Sequence, residues 1–269
     1  MATTEITTGA DGVTLEVAAH VATITLDRPH RRNALNYRAY DQLEAAFRAA
    51  SADAQVRCVV VTGADPAFCS GDDVGEIMAG PKAASQAPRA REPRPTPAAM
   101  AALECTKPVI AAVNGAAVGW GMELALFADI RIASESAKFA ELFVKRGLPC
   151  DVGGFYRLPA IVGPAKAAEL LFTGEVIDAA EALRIGLVSE VVAHADLLPC
   201  AHALAARITA NPPLAVQSLK AGLQLSAHGD PQEIGTRAIA EIYRLMQTHD
   251  HREGVASFLE KRPPVFEGR

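Results

Sequence analysis

The sequence is poor in cysteine and in aromatic residues, and the pattern of its cysteines narrows the class of protein. Five cysteines are spread over 269 residues without a C-x-x-C pair: Cys58, Cys69, Cys105, Cys150 and Cys200. Their odd number and wide spacing argue against a disulfide framework and against a structural zinc site. We therefore expect reduced thiols and no bound metal, with Cys69 as a small packed residue rather than a reactive one.

An excess of positive charge and long apolar runs are missing as well. The formal net charge is -5, which leaves no basic footprint for nucleic acid. No apolar run reaches the roughly 18 residues of a membrane span. The N-terminus lacks the basic and apolar regions of a secretory signal. We expect a soluble, cytoplasmic protein that binds neither nucleic acid nor membranes.

The apolar residues that are present are arranged as alternating strands and helices. They make up half of the chain, which is enough for one large domain or for a core with a smaller accessory part. Several β-branched runs lead into a turn of small residues and then into a helix, and this order predicts an α/β architecture. Strands are predicted over 13–16, 21–26, 56–62, 109–113, 130–134 and 188–192. A helix over 37–51 has Asn36 as its expected N-cap.

The C-terminal part of the sequence has a different character. Strand signals disappear from Asp196 onward, and helices are predicted over 197–208, 214–225, 233–246 and 252–260. We place a boundary near Ala195, which divides the chain into a core of residues 1–195 and a helical region of residues 196–269. Within the core, the Pro- and Arg-rich segment 79–97 is expected to be a loop, either a lid or anion-attracting rim near a pocket, or a solvated insertion.

The stretch from Pro108 to Arg131, PVIAAVNGAAVGWGMELALFADIR, carries the first indication of chemistry. A buried strand enters a turn over Gly115–Gly121 that is too rich in Gly and Ala to continue a strand, and a helix with the acid Glu123 in its first turn follows. Amide N–H groups at a helix start lack intrahelical partners, so the turn could bind an oxyanion. The alternative is that the glycines only allow tight packing and that Glu123 is a surface acid.

Six segments occur in one order along the chain: RPHRRNALN, VVVTGADPAFCSGDDV, PVIAAVNGAAVGWGMELALFADIRIAS, GLPCDVGGFYRLPAIVG, TGEVIDAAEALRIGLVSEVV and SFLEKRPPVF. Together they resemble the crotonase, or enoyl-CoA hydratase/isomerase, superfamily over almost the whole chain. The resemblance implies an α/β core built as a spiral of repeated β-β-α units and a C-terminal helical region that makes trimer contacts, often within a dimer of trimers. It also implies chemistry without a metal or redox cofactor.

The resemblance further implies a site for an acyl-CoA thioester. In the family, two backbone N–H groups hold the thioester oxygen, and on this sequence they are the amides of Asp72 and Trp120. Each such amide contributes about 3 kcal/mol to stabilising the negative charge that develops on the oxygen. Because a glycine is commoner where Trp120 stands, its ring is expected to narrow the acyl pocket or to reach outward over it.

The acids of this family are only partly retained. Its hydratases use two glutamates that orient one water molecule and exchange a proton with the α-carbon. Glu123 matches the first, whereas Phe143 stands at the position of the second, with Glu141 two residues before it. Asp151 falls where several isomerase-type members carry their acid, so that Glu123 and Asp151 are expected to form a rebuilt pair. Asp151 could instead cap the following helix.

The same resemblance assigns residues to coenzyme A. Arg28, Ala34, Asp73 and Val74 match segments that line the nucleotide and pantetheine groove. Phe258 and Lys261 match a C-terminal segment that approaches coenzyme A, often from a neighbouring subunit. Arg28 and Lys261 could offset phosphate charge.

The expected function follows from these assignments. The leading hypothesis is an enoyl-CoA hydratase/isomerase-type enzyme that acts on an acyl-CoA thioester through an enolate stabilised by the oxyanion hole. One alternative is a dedicated enoyl-CoA double-bond isomerase, because a single acid with an oxyanion hole suffices to shift the double bond. The other is a catalytically weak oligomer that binds CoA thioesters.

Overall fold

The computed structural model describes residues 4–6, 11–79, 94–226 and 229–269, which form two β-sheets and their surrounding helices. The strands are β1 (Thr4–Ile6), β2 (Gly12–Ala18), β3 (Val21–Asp27), β4 (Cys58–Gly63), β5 (Ala67–Cys69), β6 (Val109–Val113), β7 (Ala116–Val118), β8 (Ile130–Ser134), β9 (Lys138–Ala140), β10 (Ile177–Asp178) and β11 (Glu190–Val192). The helices are α1 (Tyr37–Ala52), α2 (Pro97–Leu103), α3 (Trp120–Phe127), α4 (Leu158–Val162), α5 (Pro164–Thr173), α6 (Ala179–Arg184), α7 (Leu197–Thr209), α8 (Pro213–Ser226), α9 (Pro231–Met246) and α10 (His249–Glu260).

The larger sheet has seven strands in the order β1-β2-β3-β4-β6-β8-β11. β1, β2 and β3 pair with one another in antiparallel fashion, and the strands from β3 to β11 run parallel. Every residue of β4 and β6 is buried. Parallel strands are covered on both faces, which is why these two read in the sequence as continuous apolar runs.

Three successive parts of the chain repeat one pattern. A strand of the larger sheet is followed by a short strand of a smaller sheet: β4 by β5, β6 by β7, and β8 by β9. The smaller sheet has the order β10-β9-β7-β5. A helical segment then follows each short strand, namely Val74–Met78, α3 and Leu142–Arg146. The α/β spiral of β-β-α units that the resemblance implies is therefore confirmed.

The two faces of the larger sheet belong to different parts of the core. Val59 and Val61 of β4 pack into the main core, which α1, α2 and α3 cover. Cys58 and Val60, whose side chains point the other way, pack with Leu197 of α7. This alternation follows from the two-residue period of a strand. The main core therefore lies between the sheet and the helices that carry the candidate site.

The helix and strand signals of the sequence are largely confirmed, with one instructive error. The side chain of Asn36 accepts a hydrogen bond from the amide of Ala39 and caps α1 as predicted. The segment read as a turn over Gly115–Gly121 instead contains the short strand β7. Its small residues serve a close approach between strands, because a Cβ at Gly115 would lie 2.5 Å from the carbonyl oxygen of Pro66. Composition alone does not separate this use of small residues from a turn.

The helices of residues 196–269 differ in how they pack. Helix α7 lies on the larger sheet through Leu197, Ala201 and Ala205. Helix α9 has 16 residues, none of which is buried. Among the described residues, no helix combines the length and the apolar character that crossing a membrane requires. The predicted loop over 79–97 falls mostly on residues 80–93, outside the described residues.

Candidate active site

The two glycine-containing turns of the sequence meet in space. Gly71 follows β5 and has a φ of +89°, a conformation that favours glycine. A Cβ at this position would lie 2.8 Å from the carbonyl oxygen of Val118 and 3.3 Å from the amide nitrogen of Trp120. The first turn thus rests directly against the start of α3. The residue after Gly71 is Asp72, so the structure brings the two predicted amide donors to one place.

A small cavity of about 30 Å³ marks this place. Asp72 and Trp120 both line it, as do Gly119 and Phe143. Trp120 is the first residue of α3, where an amide has no intrahelical acceptor. Within the part of the chain that the structure describes, neither the Asp72 nor the Trp120 amide donates to a protein acceptor. The geometry fits two free donors beside a pocket, which is what an oxyanion hole requires.

Glu123 lies one helical turn into α3 and is completely buried. Its Oε1 accepts hydrogen bonds from the amides of Asp151 (2.9 Å) and Gly154 (3.1 Å), and its Oε2 has no partner among the described residues. Burial, reinforced by the charge of Asp151, raises the pKa of Glu123 to about 7. The interpretation as a surface acid is wrong. A carboxyl whose pKa lies near neutrality is suited to proton transfer.

Asp151 is tied to the same centre through its side chain. Its Oδ2 accepts hydrogen bonds from the indole Nε1 of Trp120 (3.3 Å) and from the hydroxyl of Thr96 (3.1 Å). Its Oδ1 accepts from the adjacent amide of Val152, the first residue of the helical segment that follows. Asp151 therefore also lies at the start of that segment, and the capping alternative stays open. Three of the four predicted catalytic residues are thereby connected, because Glu123 binds the main chain of Asp151 and Trp120 binds its side chain. The fourth, Asp72, lines the same cavity as Trp120.

The ring of Trp120 points inward, which contradicts one of the two expectations for it, namely that it reaches outward over the pocket. It is 3% exposed and packs edge-on against Tyr40 and Phe127, with ring centroids 4.8 and 5.8 Å away. It therefore does not reach outward, because its indole N–H donates inward to Asp151, and the expected narrowing of the acyl pocket stays a prediction. Tyr40 completes the arrangement by donating its hydroxyl to Asp72 Oδ1 at 2.6 Å. Tyr40 lies on the face of α1 that packs against the core.

Glu141 is a buried acid beside this group whose possible role the sequence reasoning left open. It is 1% exposed, and both of its carboxyl oxygens lack a hydrogen-bond partner among the described residues. Burial, followed by the charges of Glu123 and Asp151, raises its pKa to about 9. The one signal in the sequence was an acid directly after the apolar pair of Phe139 and Ala140 in β9. Phe143, at the position of the second family glutamate, is partly buried against the core and lines the cavity.

The residues predicted to bind coenzyme A fall into two places. Arg28 is buried, and its guanidinium donates to Asp11, to Asp73 and to the carbonyl oxygen of Ala34. Val74, the residue after Asp73, lines the small cavity. These residues are therefore grouped beside Asp72, although the charge of Arg28 is already paired with carboxylates of the chain.

The two C-terminal residues of that prediction lie elsewhere. Phe258 is 82% exposed on α10 and lines a shallow pocket with Pro212 and His251. Lys261 ends the same helix in the left-handed conformation and is exposed. Neither residue lines the cavity beside Asp72 and Trp120 in this chain.

Comparison with known proteins agrees with the fold. A family model described as enoyl-CoA hydratase/isomerase matches residues 16–269. The (E)-benzylidenesuccinyl-CoA hydratase of Thauera aromatica is 38% identical over 258 residues, which cover 95% of this chain and 99% of the relative. The 1,2-epoxyphenylacetyl-CoA isomerase of Escherichia coli is 35% identical over 251 residues, 93% of this chain and 95% of the relative. The crystal structure of enoyl-CoA hydratase from Bacillus anthracis matches with a TM-score of 0.86 at 31% identity, covering 96% of this chain and 100% of that chain.

The two-sheet spiral of β-β-α units is thus the fold of the crotonase class. The chain belongs to the enoyl-CoA hydratase/isomerase family, as its six segments predicted. The relatives include both hydratases and an isomerase, so membership alone does not select one reaction.

Proposed function

We propose that this protein is an enoyl-CoA hydratase-type enzyme that acts on an acyl-CoA thioester through an enolate. The observation that carries the proposal is the meeting of two free amides, those of Asp72 and Trp120, with the buried acid Glu123 on the same helix start. The amides receive the thioester oxygen, which gains negative charge as the α-carbon becomes enolate-like. Glu123 moves the proton at that carbon.

The proposed chemistry uses groups that the chain itself supplies. Each amide is worth about 3 kcal/mol at the developing oxyanion, and a positioned carboxyl adds roughly 10²- to 10⁴-fold through proton transfer. Asp151 is the partner acid, and it is held in place by Trp120 and Thr96. The reaction needs proton transfer and charge stabilisation only, and we therefore expect no metal or redox cofactor. The cytoplasmic location stays a prediction.

A dedicated double-bond isomerase is the second candidate, and one observation favours it. Phe143 lines the cavity at the position where the family's hydratases have their second glutamate. An apolar ring there removes one of the two carboxyls that hold a water molecule. Shifting a double bond between the α- and γ-carbons needs no held water, so Glu123 with Asp151 would suffice for it.

The two reactions are separated by incubating the protein with crotonyl-CoA and with a 3-enoyl-CoA. Hydration of crotonyl-CoA removes the conjugated thioester absorbance and yields a 3-hydroxyacyl product. Isomerisation of the 3-enoyl ester increases that absorbance without adding water. Saturable binding of either ester with no turnover would instead support a weak binding protein and would overturn the proposed activity.

Asp151→Asn tests the partner acid. We expect kcat to fall about 100-fold, because a proton-transferring carboxyl is lost, while KM changes little. Asparagine is isosteric and keeps an oxygen for the Trp120 and Thr96 donors. Steady-state kinetics on the ester that the wild type turns over measures the effect. The matched control is Asp196→Asn, an exposed acid beside α7, and wild-type kcat in Asp151→Asn would exclude a proton-transfer role.

The helical region of residues 196–269 is proposed to mediate self-association into a trimer or a dimer of trimers. Support comes from apolar side chains that one chain leaves exposed on α8, α9 and α10: Leu219, Leu223, Ile242, Tyr243 and Phe258. Apolar surface on this scale is typical of an interface. A second copy that covers it would also explain why Phe258 and Lys261 lie apart from their own chain's cavity, since they would approach coenzyme A in a neighbour.

Sedimentation of the purified protein checks this assembly. We expect a mass of three or six chains of 28.3 kDa. Replacing Leu219 and Leu223 by Ser removes apolar surface from α8, and it should lower the mass toward that of the single chain. A wild-type protein that stays monomeric at micromolar concentration would contradict the proposed role of the region.

A further inference from the structure

Glu141 is a buried carboxyl that the packing of the chain does not explain. It is 1% exposed, and neither of its oxygens has a hydrogen-bond donor among the described residues. It stands at the start of the helical turn Leu142–Arg146 without capping that turn. A buried polar group without a partner costs free energy, so such a group in a folded protein calls for an explanation.

The groups that surround Glu141 belong to the proposed proton-transfer centre. Val118 and Ala140 are paired between β7 and β9, and the amide of Gly119 donates to the carbonyl oxygen of Ala140, so the chain at Glu141 lies against the start of α3, which carries Glu123. The amide of Asp151 in turn donates to Glu123 Oε1. Glu123 Oε2 also lacks a donor among the described residues. One oxygen of Glu123 and both oxygens of Glu141 are therefore buried without a hydrogen bond among the described residues, and Glu123 Oε2 packs against Gly153.

Two carboxyls in such a setting do not ionise together. A second charge in the same low-dielectric region is opposed both by burial and by the first charge. Burial and the charges of Glu123 and Asp151 raise the pKa of Glu141 to about 9, whereas that of Glu123 is raised to about 7. Between these values Glu123 is a carboxylate and Glu141 keeps its proton. Environments that separate two acids in this way assign them different roles.

We propose that Glu141 is a positioning residue that donates a hydrogen bond from its protonated carboxyl, through one water molecule, to the free Oε2 of Glu123. The proposal rests on the function proposed above, which makes Glu123 the proton-transfer group. Glu123 Oε1 is already held by the amides of Asp151 and Gly154. A donor at Oε2 completes the hydrogen bonding of the carboxylate and keeps it ionised at neutral pH. Glu141 then supplies a polar group beside Glu123, which the apolar ring of Phe143 cannot do.

The pH dependence of kcat in three proteins tests this role. In the wild type, activity should rise as Glu123 ionises near pH 7 and fall as Glu141 loses its proton near pH 9. Glu141→Gln keeps a donor that does not titrate, so kcat should fall about threefold and the alkaline limb should disappear. Glu141→Leu removes the donor, so the acid limb should move up by about one pH unit, and kcat at pH 7 should fall about fivefold as the ionised fraction of Glu123 decreases.

An infrared measurement reports the proton on Glu141 without relying on turnover. A neutral carboxyl has a C=O stretching band distinct from that of a carboxylate. The wild-type spectrum minus that of Glu141→Gln should show this band at pH 7.5 and lose it only above about pH 8, far above the ordinary glutamate pKa of about 4.3. The matched control, Glu135→Gln, removes an exposed acid from the turn between β8 and β9 and should leave the band in place.

Each outcome decides between a positioning role and a structural one. A purely structural Glu141 would lower the melting temperature in both variants and leave the shape of the pH profile unchanged, which would overturn the proposal. So would a carboxyl band that is lost below about pH 6, because a glutamate with an ordinary pKa of about 4.3 is ionised there. If the wild type turns over neither ester, the proposed function fails, and the infrared band still decides whether Glu141 carries its proton.

Discussion

Glu123→Gln is expected to lower kcat by at least about 10³-fold, the loss that follows removal of a positioned proton-transfer group. Glutamine is isosteric, and its Oε1 can keep the hydrogen bonds from the amides of Asp151 and Gly154. The new amide nitrogen replaces the oxygen that has no partner among the described residues, so the fold should persist. Steady-state kinetics with the enoyl-CoA ester, at pH 8 where Glu123 is ionised in the wild type, measures the loss.

Two further measurements make this prediction specific. The melting temperature of Glu123→Gln should equal or exceed that of the wild type, because a buried ionisable group has been removed. Glu135→Gln, at an exposed site, should retain wild-type kcat. In the wild type, activity should increase as pH rises through about 7, since the base acts in its ionised form. Undiminished turnover by Glu123→Gln would remove Glu123 from the mechanism.

Gly71→Ala is expected to reduce kcat by about 10³-fold because it displaces one donor of the proposed oxyanion hole. This is the upper end of the loss that follows removal of one such donor. The new Cβ would lie 2.8 Å from the Val118 carbonyl oxygen, in a backbone conformation that alanine rarely adopts. The first turn must therefore move away from α3. The amide of Asp72 moves with it, while the acids of the site keep their side chains.

Kinetics on a matched glycine separates this effect from backbone strain alone. Gly186 also has a positive φ, +75°, but a Cβ there meets no atom within 4 Å. Gly186→Ala should lose some stability and keep kcat. Equal losses of kcat in the two variants would mean that strain, and not displacement of the Asp72 amide, reduces activity.

The proposed oxyanion hole was the part of the candidate site most open to prediction from sequence. Its donors are main-chain groups, and their positions depend on turns whose signature is glycine. Gly71 needs its positive φ, and Gly119 caps α3. Such demands leave a readable trace in a sequence. The resemblance to the crotonase family, whose turns these glycines match, therefore identified the amides of Asp72 and Trp120 as the expected donors, whatever side chains those residues carry.

The side-chain network of the site could not be read in the same way. Whether the ring of Trp120 points outward or inward depends on partners that are distant in sequence. Its hydrogen-bond acceptor, Asp151, is 31 residues away, and Tyr40, on which it packs, is 80 residues away. A periodicity reading sees Tyr40 only as one position on the buried face of α1. Tertiary contacts of this kind have no local signal.

The burial of Glu141 was hidden for a related reason. An acid that follows a three-residue strand reads as the beginning of an exposed turn. In the structure the strand β9 lies in the smaller sheet beside β7, and the amide of Gly119 donates to the carbonyl oxygen of Ala140. This pairing holds the chain against the start of α3 and buries the residue that follows. The smaller sheet was not predicted, because the composition of its short strands does not identify them as strands.

A crystal structure of the protein with a bound, unreactive acyl-CoA thioester tests the central claim most directly. We predict that the thioester oxygen lies about 3 Å from the amide nitrogens of both Asp72 and Trp120, with the α-carbon facing Glu123. A thioester bound elsewhere would contradict this claim, for example in the cavity on the other face of the larger sheet beside His194 and His202. So would an oxygen that neither amide reaches.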